Sequence, residues 1–131
     1  AGTFDLPLRK ARKGKKVSAI THFRLLKSYA TGIAHRDEAD LSISLLELRP
    51  VTGRWHQLRQ HCAQQRYDII GDTEHGDYAL NRLLAERTGV KRLYLHASQL
   101  SFYHPIRAEK MHLESDLPSS FSELLGLFSQ D

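Results

Sequence analysis

The segment LRPVTGRWHQLRQHCAQQ, Leu48–Gln65, constrains the fold more than any other part of the chain. Its residues from Gly53 to Gln65 have the composition of a helix. At about 100° per residue, one arc of that helix is apolar and comprises Trp55, Leu58, Cys62 and Ala63. Arg59 falls inside this arc, whereas a second face groups Arg54, Gln57 and His61. The pattern therefore predicts a helix with one solvent-exposed (wet) face and one buried (dry) face, and a cation on the dry face.

A cation on a dry helix face needs a partner. Burying a guanidinium is costly unless an anion lies against it. A carboxylate is the most suitable anion, because the planar guanidinium can donate two hydrogen bonds to it. Alternatively, the Arg59 side chain extends past the rim of the helix to water. The pattern alone leaves both interpretations open and does not identify the carboxylate.

Composition limits the class of protein. A chain of 131 residues with 40% hydrophobic and 26% charged residues is typical of one soluble globular domain, covering residues 1–131. The sequence predicts no membrane association, because no apolar run approaches the roughly 20 residues of a membrane helix. The single cysteine, Cys62, excludes an internal disulfide and favours a cytoplasmic location. Ala1 stands first and Met111 is the only methionine, which fits either a removed initiator methionine or a fragment.

Positive charge is concentrated in the first half. Residues 1–66 hold 13 Lys and Arg against 5 Asp and Glu, whereas residues 67–131 hold 6 against 10. Much of the excess lies in RKARKGKK, which contains Arg9, Lys10, Arg12, Lys13, Lys15 and Lys16. Such a run is often only a solvated loop. It also suits a phosphate-binding arm, because cationic segments gain affinity by releasing counterions from nucleic acid.

The order of predicted elements indicates an α+β fold with a mixed, mainly antiparallel sheet and flanking helices. Near-alternation predicts strands at Val17–Leu26 and Asp40–Pro50, and the apolar segment Tyr67–Asp72 is expected to be a short strand or an extended segment that stops at Gly71. A loop and a helix ended by Gly89 follow, and then a hairpin that turns at Pro105. Ser120 and Glu123 have the spacing of a capping box at the start of a last helix.

Several motifs together resemble a known family. The segment VTGRWHQLRQHCAQQRYDIIGD is followed by HGD and then by RLYLHASQLSFYHP, and THFRLL precedes them all. This series resembles the second half of the catalytic domain of RluA-type RNA pseudouridine synthases, over roughly residues 2–113. Within that family, the segment from His75 to Leu100 is most similar to enzymes that act on a T-stem uridine of tRNA.

The resemblance implies a function for the helix. In this family the arginine at the position of Arg59 pairs with the catalytic aspartate, and the residues at Arg54, His56, Gln57 and His61 face the RNA. The enzyme flips a uridine out of the RNA, and the aspartate attacks it. The glycosidic bond breaks, the base turns, and a carbon–carbon bond forms without any cofactor. The implied partner is RNA, and specifically tRNA.

One family motif is missing. The catalytic aspartate of the family belongs to an Arg-Leu-Asp-x-x-Thr-Ser-Gly motif upstream of the matching segments, and this chain contains no such motif. We therefore expect a fragment that is inactive without the missing N-terminal half and that could self-associate through an exposed apolar face. The alternative is a stand-alone, non-catalytic RNA-binding module. An unpaired Arg59 would favour the fragment, because a complete module has little reason to keep one.

Other chemistry is disfavoured by the spacing. His56 and His61 are five residues apart and point about 140° from each other on a helix, so they do not match the spacing of zinc-binding helices, and no metal site is predicted. Cys62 lies on the apolar arc, away from His61, which argues against a nucleophile. Gly71-Asp72 and Gly76-Asp77 are typical of turns, although Asp72 could brace the cleft.

Overall fold

The computed structural model describes residues 1–34, 41–89, 91–103, 106 and 109–130. Its main sheet contains β1 (Gly2–Phe4), β4 (Thr21–Ala30) and β5 (Ser42–Pro50), in the order β1-β4-β5. The short β8 (Ser129–Gln130) also pairs with β4. All of these pairs are antiparallel. The predicted α+β class is confirmed, and the first long strand begins four residues later than expected.

Two small hairpins accompany the sheet. β2 (Leu8–Arg9) pairs with β3 (Lys16–Val17), and β6 (Gln99–Tyr103) pairs with β7 (Lys110–Glu114). The second hairpin confirms the predicted return of the chain after residue 103, although the expected turn residue Pro105 lies outside the described residues. The first hairpin was not predicted, because its two-residue strands are too short to show alternation.

Three helices complete the described fold: α1 (Gln57–Gln64), α2 (Tyr78–Thr88) and α3 (Ser119–Leu125). The prediction that α1 starts at Gly53 is wrong, because His56 has φ 45° and this left-handed backbone cannot continue a right-handed helix. α2 ends at Gly89 with φ 72°, as predicted, and the Asp77 side chain caps its start. α3 has Pro118 at its cap position and no side-chain cap, so the predicted capping box is wrong.

No strand forms at Tyr67–Asp72, where a short strand or an extended segment was predicted. The segment has a turn at Ile70 and Gly71, and Gly71 has φ 85°. A Cβ at Gly71 would lie 1.6 Å from the carbonyl oxygen of Arg92, so only glycine allows the two backbone segments to approach so closely. The Tyr94 N–H donates to the Ile70 carbonyl at 2.9 Å and fixes the same approach. The resulting loop carries Asp72 into the interior.

The core is small and partly polar. Its buried apolar side chains include Phe4, Leu8, Ile43, Leu84 and Phe121. Several large apolar side chains stay exposed on the outside of the molecule, among them Leu25 at 50%, Leu26 at 44% and Val51 at 61%. The expected self-association through such a face stays a prediction. No helix in the described ranges has the length and apolar character needed to cross a membrane.

Candidate active site

Helix α1 buries a polar face. The buried residues of this helix are Gln57, Gln60, His61 and Cys62. Of the predicted apolar arc, only Cys62 is buried, whereas Trp55, Leu58 and Ala63 are half-buried. The predicted assignment of wet and dry faces is therefore wrong. Polar side chains can occupy this interface because each of them finds hydrogen-bond partners on the neighbouring backbone.

His61 and Gln60 attach α1 to the N-terminal segment. The Nε2 atom of His61 donates to the Leu6 carbonyl at 3.0 Å, and its Nδ1 atom accepts from the Thr21 hydroxyl at 2.7 Å. The Gln60 amide exchanges two hydrogen bonds with the backbone of Arg9, at 3.0 and 3.1 Å. His61 is fully buried with both ring nitrogens satisfied. Its predicted role as an RNA contact is therefore wrong.

Gln57 has a structural role as well. Its amide nitrogen donates to the Ile20 carbonyl and to the Thr21 hydroxyl, both at 2.9 Å. Its carbonyl oxygen accepts from the Thr52 hydroxyl at 2.6 Å and from the Arg54 N–H at 3.0 Å. Gln57 therefore shapes the turn that precedes α1. It is largely buried but also lines the cleft described below, and its contact with RNA stays a prediction.

Arg59 has a carboxylate partner within the chain. Its Nε donates to Oδ2 of Asp72 at 3.0 Å, and its Nη2 donates to Oδ1 at 2.7 Å. The Asp72 side chain is 1% exposed and that of Arg59 is 19% exposed. Asp72 thus supplies the carboxylate that a buried guanidinium needs, and Arg59 is paired within the chain. Because Arg59 is paired, it no longer favours a fragment over a complete module.

Asp72 is also hydrogen-bonded to its own loop. Its Oδ1 accepts from the N–H groups of Glu74 at 3.0 Å and His75 at 2.9 Å. Burial by itself would raise the pKa of Asp72, but the hydrogen bonds from Arg59, His75 and Glu74 lower this pKa to about 2. The hydrogen bond with Asp72 likewise raises the pKa of Arg59. Both groups are charged throughout the physiological pH range.

Two histidines and a glutamate lie beside this pair. The Nδ1 atom of His56 is 3.0 Å from Oε2 of Glu74 and 3.1 Å from Nε2 of His75. Glu74 also pairs with Arg12, whose hydrogen bond is the main cause of the lowered pKa of Glu74. The Trp55 ring, predicted to belong to the core, stacks on the His56 ring with 4.0 Å between centroids. Sequence reasoning missed Glu74 and His75, because only the fold brings their loop to the start of α1.

A cleft of about 370 Å³ opens beside this cluster. Its volume lies within the roughly 300–1,000 Å³ of typical ligand pockets. Its apolar lining comes from Pro50, Leu58 and Leu95. Four predicted site residues of the helix motif also line it, namely Arg54, His56, Gln57 and Arg59. Arg54 is exposed, and its Nε donates to the Ser18 carbonyl at 2.8 Å. The cleft is therefore partly apolar and carries cationic groups, as a site for a nucleotide requires.

The basic run forms the end of the β2–β3 hairpin. The Lys10 N–H donates to the Lys15 carbonyl at 2.9 Å, which closes the loop. All six basic side chains predicted as RNA contacts are exposed: Arg9, Lys10, Arg12, Lys13, Lys15 and Lys16. The Arg12–Glu74 pair places this hairpin next to the cluster at the cleft. The basic run and the helix motif thus belong to one surface.

The structure also bears on Cys62. Burial raises the pKa of its thiol to about 12, with smaller contributions from Asp68 and Asp72. A thiol with this pKa is protonated at neutral pH and is a poor nucleophile. Cys62 therefore has the environment of a structural thiol, in line with the expectation that it is not a nucleophile.

The fold has a counterpart among solved structures. The structure titled Human RNA Pseudouridylate Synthase Domain Containing 1 superposes with a TM-score of 0.67 over 98% of this chain and 53% of its own, at 23% sequence identity. At that identity the likeness concerns the fold. The antiparallel α+β domain of this chain thus has the same fold as that structure.

Sequence comparisons identify the family. Residues 2–64 match the family model described as RNA pseudouridylate synthase. The tRNA pseudouridine synthase C of Vibrio cholerae is 38% identical over 138 aligned positions, which cover 98% of this chain and 57% of the relative. The enzyme of the same name from Salmonella typhi is 37% identical over 110 positions, covering 84% and 42%. The chain belongs to the RNA pseudouridylate synthase family, and it spans about half the length of these relatives.

Proposed function

We propose that this chain is part of an RNA pseudouridine synthase that converts a uridine of tRNA, in the T-stem, to pseudouridine. The observation that carries the proposal is the cleft beside α1, which is lined by Arg54, His56 and Arg59 of the family motif. Relatives named tRNA pseudouridine synthase C support tRNA as the substrate. The partly apolar wall would receive a flipped base, and the cationic rim would hold its phosphates.

Asp72 does not fit the role of the attacking carboxylate. It is 1% exposed and accepts four hydrogen bonds, one at Oδ2 and three at Oδ1. A nucleophilic carboxylate needs an oxygen that can reach the substrate, whereas these oxygens are both directed at protein donors. We infer that the catalytic aspartate lies outside this chain and that the isolated chain is inactive.

Arg59 would link the two carboxylates. Asp72 uses the Nε and Nη2 groups of Arg59, while Nη1 is directed towards His56 at a long 3.5 Å. A guanidinium has five N–H donors, so Nη1 can still donate to a further carboxylate in the cleft. In this proposal Asp72 holds the guanidinium rigid, and the free side of Arg59 orients the catalytic aspartate and keeps it ionised.

The test uses the full-length protein that contains this chain, with tRNA labelled with tritium at C5 of uridine. Formation of the new bond at C5 releases that hydrogen to water, so the release of tritium reports turnover. We expect Arg59→Ala to abolish release, because the aspartate loses its partner. Lys13→Ala should weaken tRNA binding and reduce its salt dependence, with turnover of bound tRNA unchanged. Full turnover by Arg59→Ala would refute the assigned role.

A second candidate function is a non-catalytic RNA-binding module. It is favoured by one observation, namely that Asp72 already satisfies Arg59 inside the chain. The two functions differ in what the 131 residues do alone. A module would unfold cooperatively and bind tRNA tightly, and the full-length protein would release no tritium. A synthase would show release by the full-length protein and none by the isolated chain.

A further inference from the structure

Three metal-binding atoms converge at the edge of the cleft. They are Nδ1 of His56, Nε2 of His75 and Oε2 of Glu74, and they all lie within 4.8 Å of one another. The distance from Nδ1 of His56 is 3.0 Å to the glutamate oxygen and 3.1 Å to the other imidazole. The third side of the triangle, from His75 to Glu74, measures 3.7 Å. The three atoms come from two separate segments, the turn before α1 and the loop after Asp72.

This triangle has the dimensions of one face of a tetrahedral zinc site. Zinc binds imidazole nitrogen at about 2.0–2.1 Å and carboxylate oxygen at about 2.0–2.2 Å. Ligand atoms at these distances in a tetrahedron are roughly 3.4 Å apart. The observed sides of 3.0, 3.1 and 3.7 Å bracket this value. The three groups therefore need only small adjustments to accept an ion.

Neighbouring contacts hold the three ligands in place. The Trp55 ring stacks on His56 and meets His75 edge-on, at centroid distances of 4.0 and 5.7 Å. The Asp72 carboxylate anchors the loop through the N–H groups of both Glu74 and His75. Arg12 forms an ion pair with Oε1 of Glu74, so Oε2 stays directed at the imidazoles. Outer contacts of this kind orient metal ligands and raise affinity.

We propose that His56, Glu74 and His75 form a binding site for a divalent transition-metal ion such as Zn²⁺. The ligand side chains are 29%, 25% and 18% exposed, so the fourth coordination position can face water or a ligand in the cleft. Two imidazoles and one carboxylate suit Zn²⁺ better than Mg²⁺ or Ca²⁺, which prefer sites made of oxygen atoms. The site stands on this geometry and does not depend on the RNA chemistry proposed above.

The ion would change the contact between His56 and Arg59. Nη1 of Arg59 can only donate, and it lies 3.5 Å from Nε2 of His56, so this hydrogen bond requires an Nε2 atom without a proton. A neutral imidazole that binds a metal through Nδ1 carries its proton on Nε2, where it faces the N–H groups of Arg59. Two donors then oppose each other, so metal binding and the Arg59–His56 hydrogen bond exclude one another.

The test is a titration of the purified full chain with Zn²⁺ in a calorimeter and with Co²⁺ in an absorption spectrometer. We expect one ion per chain, and a Co²⁺ spectrum with the strong visible bands of four- or five-coordination. His75→Ala and Glu74→Gln should each weaken binding by at least about tenfold, since even the loss of an outer-shell partner costs roughly 10- to 100-fold. Glu74→Gln keeps the size of the side chain and covers the case in which His75→Ala does not fold.

His22→Ala is the matched control. His22 is an exposed histidine on β4 that contacts Thr3 and no member of the cluster, so its removal should leave the affinity unchanged. Circular dichroism would verify that each variant is folded. Absence of saturable binding to the unmodified chain would overturn the proposal. Equal weakening by His22→Ala and Glu74→Gln would overturn it as well, because it would indicate nonspecific binding by surface groups.

Discussion

The Arg59–Asp72 pair allows a quantitative test of the site. The folded protein lowers the pKa of Asp72 from 3.8 to about 2. At about 1.4 kcal/mol per pKa unit, the preference of the folded state for the charged carboxylate is worth about 2 kcal/mol. Removing one partner of a buried pair typically costs about 3–5 kcal/mol, because the other charge is left uncompensated. Asp72→Asn should therefore lower the free energy of unfolding by about 3 kcal/mol at pH 7.

The pH dependence follows from the sign of this shift. A folded-state pKa below the unfolded value gives stability that is present above the unfolded pKa of 3.8 and is lost as the pH falls towards about 2. The difference between the original protein and Asp72→Asn should thus be constant above about pH 5 and shrink between about pH 4 and pH 2. Urea unfolding followed by circular dichroism at several pH values measures both quantities.

Two further variants test the reasoning. Arg59→Met in the Asp72→Asn background should recover part of the loss, since it removes the cation that was left without its carboxylate. Glu47→Gln, which disrupts an exposed pair with Arg24, should barely change stability and serves as the control. The reasoning is refuted if Asp72→Asn is as stable as the original protein at pH 7, or if their difference does not depend on pH down to pH 2.

Three other predictions concern the scaffold of the site. Gly71→Ala should destabilise the chain strongly, because the added carbon would collide with the backbone of Arg92. Gly53→Ala should be tolerated, because a carbon added there meets nothing within 4 Å. Thermal unfolding of the two variants measures the difference. Gln60→Leu should remove two part-buried hydrogen bonds to the backbone of Arg9, at about 0.5–1.5 kcal/mol each, and increase the rate of trypsin cleavage in the β2–β3 hairpin. The Cys62 thiol should resist alkylation by iodoacetamide at pH 8 in the folded protein and react in urea, because burial holds its pKa at about 12.

Chemistry that is local in the sequence was predictable. The long strands showed β-branched alternation, α2 had its glycine stop at Gly89, and the helix motif indicated the family. The sequence raised the question of an anion beside Arg59 but did not decide it, because the pattern also allowed the guanidinium to reach water. The start of α1 was not predictable by counting angles, since the left-handed backbone of His56 interrupts the helix.

The identity of the partners was decided by the tertiary structure alone. Helical periodicity assumes that buried faces are apolar, yet the core side of α1 consists largely of Gln57, Gln60 and His61. These side chains can be buried because the N-terminal segment satisfies Gln60 and His61, and the start of β4 satisfies Gln57. Asp72 meets Arg59 because Gly71 permits a close passage of two backbone segments. Sequence by itself determined which chemical groups were present and what each required, whereas folding determined which groups met, because long-range contacts depend on how distant segments of the chain pack together.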